Sequence, residues 1–302
     1  MGGFRVLSAA RVRVALPNKG RLADDVRATL EDAGLAIRTA TDRALTAEVG
    51  DDFLALFVRA QDIPEFVADG AADAGITGWD CVAESGRELD SMLDLGLGRC
   101  RLVVAARATA ARGEAPLSVV PNGARVATSF PFLAKRFFET HQKPIQIVTV
   151  SGAAEVAPHL GIADVIVDLV STGSTLKVNG LHEIATVLES TARLVSRPRA
   201  ILAEATHTAL SDLALAISSV VRARGQRYLM ANVPFAVLAG VRAILPGLRG
   251  PTVIDLADDQ GKDRFVAVHA VIPAASVYRT TLRLKAIGCE GILVTRIERL
   301  IP

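Results

Sequence analysis

Aromatic residues are scarce in this chain: 4% of 302 residues, with one tryptophan and two tyrosines. So few stacking side chains leave no platform for single-stranded nucleic acid. Net charge is almost absent as well, because 34 Lys+Arg against 32 Asp+Glu leave only +2. That balance excludes the broad basic surface of a dedicated nucleic-acid binder and leaves room only for a local basic patch. Cysteine is limited to Cys81, Cys100 and Cys289, an odd set with no C-x-x-C pair. That usage argues against a disulfide framework or a structural zinc site and fits a reducing cytosol. The three thiols read as small buried or half-buried groups. No apolar run approaches the ~20 residues of a membrane span. The start, MGGFRVLSAARVRVALP, carries Arg5 and Arg11 without a continuous apolar region, so it does not read as a secretory signal. Residues 1–10 read as a loose extension. What the chain does have is a core: half its residues are hydrophobic and 22% are charged. At about 150 residues per domain it has room for two or three domains.

Residues 11–16 (RVRVAL) alternate and then turn continuously apolar, as a strand does when it becomes buried. Pro17-Asn18-Lys19-Gly20 is turn chemistry. Residues 21–33 place Leu22, Val26, Leu30 and Ala33 on one helical face, closed by Gly34. Strand, polar loop and helix open an α/β domain. Residues 52–58 read as a strand, 61–69 as a helix stopped by Gly70, and 72–76 as a strand ending at Thr77-Gly78. A second unit repeats this grammar, with strands at 123–128, 146–150 and 163–170 and helices at 132–140 and 153–160. Both units run helix end, Gly, Ala-Asp, apolar strand, Thr-Gly, which predicts two similar lobes with a cleft between them. Ligands in such folds sit at the carboxyl ends of the strands, where both Thr-Gly pairs fall. Residues 107–122 read as the linker between the lobes, and the chain returns through 183–194 and a long helix at 199–224. The remainder reads strand 226–233, helix 234–245, strands 251–256 and 264–272, helix 274–287 and strand 291–300. That order is βαββαβ, the ferredoxin-like arrangement. The expected division is 1–106 with 183–221 as one lobe, 107–182 as the second, and 222–302 as a C-terminal domain.

Four loops carry residues suited to anion chemistry. Asp168 closes an apolar strand and is followed by Ser171-Thr172-Gly173-Ser174-Thr175. Hydroxyls and successive backbone N–H groups in such a loop can cradle a phosphate, and Asp168 can accept from ribose hydroxyls. The same residues also suit a simple hydroxyl-stabilised turn. Lys19 and Arg21 lie at the first strand-to-helix turn, where they would face an anion or merely make an exposed basic turn. Asp80 follows Thr77-Gly78 and can accept from a sugar or base, or cap the next helix. Glu155, in Ser151-Gly152-Ala-Ala-Glu155, can reach the cleft or favour a helix's first turn. The chain has no G-x-x-x-x-G-K-[ST] loop, no strand-linked G-x-G-x-x-G and no G-x-S-x-G elbow. Its five histidines show no metal-ligand spacing.

Taken in order, VALPNKGRL, FVRAQDIPEFVADGAADAGITGWD, RVATSFPFLAKRFF, SGAAEVAPHLGIADVIVDLVSTGSTLKVNGL, LESTARL, YLMANVP, ILPGLRGPTVIDLA and LKAIGCEGILVTRIERL resemble the long, single-chain form of ATP phosphoribosyltransferase nearly end to end. The resemblance implies transfer of phosphoribosyl from phosphoribosyl pyrophosphate (PRPP) to N1 of ATP, with Mg²⁺, in the first step of histidine biosynthesis. It implies a two-lobed, periplasmic-binding-protein-like catalytic core, a C-terminal domain that binds histidine as feedback inhibitor, and dimers and hexamers. Carried over by position, Ser171, Thr172, Gly173, Ser174 and Thr175 would hold the PRPP 5-phosphate and Asp168 its ribose hydroxyls. Glu155 would line the same site, and Lys19, Arg59, Asp80 and Arg21 would meet the nucleotide and the pyrophosphate. Asp168, Glu155 and Lys19 are the expected catalytic groups, Asn232 is the candidate for histidine contact, and Mg²⁺ is expected to reach the protein through substrate oxygens. Adenine N1 already offers a lone pair, so no catalytic histidine is expected. Three rivals keep the lobes without the turnover: a solute-binding protein, a ligand-sensing transcription regulator, and a regulatory subunit. The first lacks an export signal here, the second lacks a helix-turn-helix and a basic face, and the intact STGST and PNKGR loops argue against the third. No nucleic-acid or membrane partner is expected.

Overall fold

The structure, a computed structural model, describes residues 11–38, 44–107, 116–256 and 264–301. The expected extension at 1–10 and residues 108–115 of the expected linker lie outside the described residues. In chain order the elements are β1 (Val12–Pro17), α1 (Arg21–Asp32), β2 (Ile37–Arg38), β3 (Thr46–Val49), β4 (Phe53–Val58), α2 (Ile63–Ala68), β5 (Ala74–Gly78), α3 (Trp79–Ser85) and β6 (Asp90–Asp94). There follow β7 (Cys100–Arg107), β8 (Ala124–Thr128), α4 (Pro131–Thr140), β9 (Ile145–Thr149), β10 (Val165–Val170), α5 (Ser174–Val178), β11 (Leu181–Ser190), β12 (Ala192–Ser196) and α6 (Glu204–Arg224). The chain ends with β13 (Gln226–Pro234), α7 (Leu238–Ile244), β14 (Thr252–Asp255), β15 (Phe265–Pro273), α8 (Val277–Ala286) and β16 (Glu290–Arg296). Two compact units result, Met1–Ala214 and Leu215–Pro302, and the division falls inside α6.

The first unit holds two sheets. Lobe I is a seven-stranded sheet of order β2-β3-β4-β1-β5-β12-β6, and lobe II a five-stranded sheet of order β11-β7-β10-β8-β9. In lobe I the apolar run of β1 lies between β4 and β5, both parallel to it, and buries Val14, Ala15 and Leu16. Continuous apolar sequence is what a parallel strand covered on both faces requires. Helix α1 packs Ala23, Val26 and Leu30 inward and ends where Gly34 N–H bonds Glu31 O and Leu35 N–H bonds Leu30 O. Those two bonds make a Schellman closure and satisfy the last carbonyls. Gly75 in β5 has a different necessity: a Cβ there would sit 2.4 Å from Ile63 Cγ2. Only a bare backbone lets α2 lie so close to the sheet. In lobe II, Leu133, Ala134 and Phe138 of α4 pack on Val126, Val165 and Val167 of the sheet.

Two further strands complete the sheets. Strand β6 exposes most of its residues, whereas β7 buries a continuous apolar run, Leu102–Ala106, after the turn that holds Gly96 and Gly98 at positive φ. Because β7 and β11 both belong to lobe II, the lobes are joined at residues 95–99 and at Thr191. This corrects the expected boundaries at 106 and 183, which divided lobe II's antiparallel pair from its own sheet. The two crossings are bonded to each other through Leu95 N–H to Ala192 O and Ala192 N–H to Leu97 O, each 2.9 Å. The helix expected at 153–160 is also corrected: only a 3₁₀ turn, Ala154–Val156, forms there, after Ala153 at φ 51°. Gly152, Pro158 and Gly161 leave no uninterrupted stretch for a helix.

The second unit is one antiparallel sheet of order β14-β15-β13-β16 with βαββαβ connectivity, the ferredoxin-like arrangement. Leu229, Ala231 and Val233 alternate inward from β13 and pack with Val241 of α7, Leu245 and Leu284 of α8.

Candidate active site

Lobe II supplies a polar pocket. The buried run Val165–Val167 carries β10 through the core and delivers Asp168 half-buried near its end. Leu169 N–H donates to Asp168 Oδ1 at 2.8 Å. Burial pushes the Asp168 carboxyl above its ordinary value, the N–H of Leu169 opposes this, and the charge of Glu155 adds to it. Beyond Val170 the chain turns, and Ser171, Thr172, Gly173, Ser174 and Thr175 wrap a cavity of about 270 Å³ together with Asp168 and Glu155. Thr172 Oγ1 and Ser174 Oγ lie 3.1 Å apart. Gly173 holds φ 77°, the left-handed conformation that lets the loop fold back on itself. Glu155 reaches this cavity from the 3₁₀ turn rather than from a helix.

Lobe I faces a larger cavity of about 1060 Å³. The parallel register of β1 and β4 pairs Pro17 with Val58, and Asn18 N–H bonds Val58 O at 2.9 Å. The loops after both strands therefore leave the sheet side by side, which brings Lys19 and Arg59 to one wall. Both cations are exposed to solvent. Asp80 lies on the same wall, 5% exposed, on the second residue of α3 and not at its cap. Ser190 Oγ–H donates to Asp80 Oδ1 at 2.6 Å, and Asp80 N–H donates to Ser190 Oγ at 3.0 Å. A Cβ on Gly78 would lie 2.3 Å from Asp80 Oδ1, so the glycine makes room for the folded-back carboxyl. Cys81 Sγ–H donates to Asp80 Oδ2 at 3.5 Å, and burial together with the nearby Asp80 pushes its thiol up to about 12. Lobe II closes the cavity with Ser129, Phe130, Thr149, Val150 and Ser151. Leu169 lines both cavities, so the two adjoin at that residue.

Arg21 is not brought to this site. Its side chain is 96% exposed and pairs with Asp25 at 3.9 Å one helical turn on. The inward face of α1 belongs to Ala23 and Val26, which leaves the first residue pointing away. Asn232 is exposed on β13, on the face opposite Ala231 and Val233, and faces Ala267 and Glu290 across the ladder. Two residues that hold the site together carry no local sequence signal: buried Ser190, whose partner is 110 residues away, and Glu84 on the cavity wall, whose partners are 48 and 49 residues away. Among the described residues no group of three or more His, Cys, Asp or Glu could hold a metal ion. Among them, too, no helix is long and apolar enough to cross a membrane.

Two sheets joined by two short crossings, with a hydroxyl-lined pocket on one wall and cations on the other, define a clefted α/β protein of the periplasmic-binding-protein type, here with a ferredoxin-like domain appended. Within that class the sequence narrows the assignment. The family model described as ATP phosphoribosyltransferase matches residues 59–219, and that described as HisG, C-terminal domain matches residues 223–299. The chain is 62% identical over 295 residues to an ATP phosphoribosyltransferase of Gemmatimonas aurantiaca, covering 96% of this chain and all of that one. It is 45% identical over 304 residues to one from Halorubrum lacusprofundi, again covering 96% of this chain and all of the relative. A solved ATP phosphoribosyl transferase (HisG:HisZ) complex from Thermotoga maritima is 26% identical, with a TM-score of 0.60, and the match covers 70% of this chain and 98% of that one. The chain belongs to the ATP phosphoribosyltransferase family, pentosyltransferases that carry out the first step of histidine biosynthesis.

Proposed function

We propose that the two adjoining cavities are the PRPP and ATP halves of one active site, in which N1 of ATP attacks C1 of PRPP and displaces pyrophosphate. The shared Leu169 wall is the observation that carries this reading, because it sets the pocket for one anion beside a cavity large enough for a nucleotide. Ser171, Thr172, Gly173, Ser174 and Thr175 hold the 5-phosphate, Asp168 accepts from the ribose hydroxyls, and Glu155 flanks them. Lys19 and Arg59 neutralise phosphate charge, and Asp80 meets the nucleotide. The C–O bond of PRPP breaks as the N–C bond to adenine forms, and the developing cation on the ribose favours carboxylates close to it. The lone pair on N1 is available without deprotonation, so the protein must bind, orient and exclude water rather than supply a strong base. Asp168 and Glu155 are hard oxygen donors in one cavity, with no third acidic partner among the described residues. That donor set fits a Mg²⁺ held mainly by substrate oxygens and water. When bound, Mg²⁺ neutralises charge on the departing pyrophosphate.

The same reading makes residues 1–221 the catalytic part and 222–302 a regulatory domain that binds histidine, with Asn232 as a contact, in a cytoplasmic enzyme assembling as dimers and hexamers. A family model for a separate C-terminal domain over residues 223–299 supports the division near residue 222. The test is pyrophosphate release by the purified protein with ATP, PRPP and Mg²⁺, omitting each in turn and then adding histidine. Release that needs all three and falls with histidine is expected. Release indifferent to histidine would remove the regulatory assignment, and absence of release would overturn the reading.

A further inference from the structure

Helix α4 of lobe II lacks a cap of its own. Its N-cap residue is Phe130, which has no side-chain acceptor, and its first residue is Pro131, which has no N–H. Ala134 N–H is satisfied by Phe130 O at 3.0 Å, which leaves the N–H groups of Phe132 and Leu133. Both are taken by a side chain from lobe I: Glu84 Oε1 accepts from Phe132 at 2.8 Å and Oε2 from Leu133 at 2.9 Å. Glu84 rides on α3, the helix that also carries Asp80, and it lines the large cavity beside Ser129 and Phe130. Two further contacts hold the same seam. Ala83 packs on the lobe II core, and the Phe132 ring lies so close to Gly86 that a Cβ there would sit 3.3 Å from it. Burial pushes the Glu84 carboxyl above its ordinary value, and the two N–H groups work against that rise.

We propose that Glu84 is a positioning residue for phosphoribosyl transfer: by capping α4 from the opposite lobe it fixes the distance between the nucleotide wall and the phosphoribosyl pocket. This inference rests on the assignment of the two cavities given above. Its logic is a division of labour. The pocket formed by Asp168, Glu155 and residues 171–175 lies wholly within lobe II, so PRPP binding alone does not depend on the clasp. Reaction does depend on it, because ATP must be presented from lobe I to a ribose held by lobe II.

The experiment compares wild type, Glu84→Gln and Glu84→Ala in the full chain. Gln keeps the length but only one acceptor oxygen, and Ala keeps none. kcat/KM for ATP is expected to fall about tenfold in Glu84→Gln and about a hundredfold in Glu84→Ala, in line with the loss of one or two bonds to a charged acceptor. PRPP affinity, measured by calorimetry without ATP, is expected to stay within about twofold. A parallel fall in PRPP affinity would mean general damage to the fold and would overturn the proposal, as would unchanged ATP kinetics in both variants. Trp79, the only tryptophan, opens α3 and gives a readout independent of turnover. Its acrylamide quenching in the substrate-free protein is expected to rise in the order wild type, Gln, Ala. If wild type releases no pyrophosphate, the cavity assignment falls. The clasp is then judged on quenching alone, and equal quenching in all three proteins refutes it.

Discussion

The Asp80–Ser190 pair offers a sharp test of how the cleft is held. Asp80 is 5% exposed and Ser190 2% exposed, and they exchange two hydrogen bonds of 2.6 and 3.0 Å. Ser190→Ala removes one oxygen atom and introduces no steric conflict. It leaves both Asp80 Oδ1 and Asp80 N–H buried without this partner, at about 1–3 kcal/mol each. Such losses within one network are less than additive, so a total of about 3 kcal/mol is the working value. The unfolding entropy per residue is about 2.1 cal/mol/K, which for the unit spanning Met1–Ala214 gives about 0.45 kcal/mol/K. The melting temperature of that unit should therefore drop by about 7 °C. Scanning calorimetry of wild type and Ser190→Ala measures it, and Ser190→Thr, which restores the hydroxyl, should recover part of the loss. KM for ATP should rise in the alanine variant, since Asp80 loses its anchor on the cavity wall. A shift below about 2 °C would refute the claim that these bonds are structural rather than incidental.

Asp168 is expected to trade stability for function. Its folded carboxyl titrates above its ordinary value of 3.8 because of burial, so the folded state holds that proton more tightly than the unfolded chain does. The group therefore favours folding at pH below 3.8 and loses that contribution as pH rises through the folded value, which makes its ionised form a cost near neutrality. Asp168→Asn should raise the melting temperature at pH 7 while turnover falls by about a hundredfold or more; a lower melting temperature would contradict the sign. Cys81, pushed up to about 12, should react with iodoacetamide at pH 8 roughly a thousandfold more slowly in the folded protein than in the unfolded chain, as followed by peptide mass spectrometry. Lys19→Ala should raise KM for ATP about tenfold, whereas Arg21→Ala should leave it within about twofold, because only Lys19 lines the cavity. Steady-state kinetics at saturating PRPP separates the two, and an equal effect would count against the placement of Arg21.

Local sequence carried a large part of this protein. The apolar run before Pro17, the helical face of Leu22, Val26 and Leu30, and the strand that ends at Ser171 are each specified by residues within a dozen positions of one another, and each forms as expected. The hydroxyl loop and Asp168 are legible for the same reason, since one turn of chain contains them all. The βαββαβ order is legible from its segments, and its two central strands, β13 and β15, alternate in burial as antiparallel strands covered on one face do. Tertiary structure decided the rest. It drew β7 and β11 into lobe II, since ladder partners such as Arg101 and Glu189, and the ion pair of Arg101 with Glu183 82 residues away, leave no trace in a local pattern. It turned Arg21 outward, because the rotation of α1 is set by which residues meet the sheet and not by charge. It also joined Ser190 to Asp80 and Glu84 to the bare end of α4, contacts between groups that are nowhere near each other until both lobes have folded. The residues suited to the chemistry could thus be read from short segments, while the spacing between the two walls of the cleft is a property of packing alone.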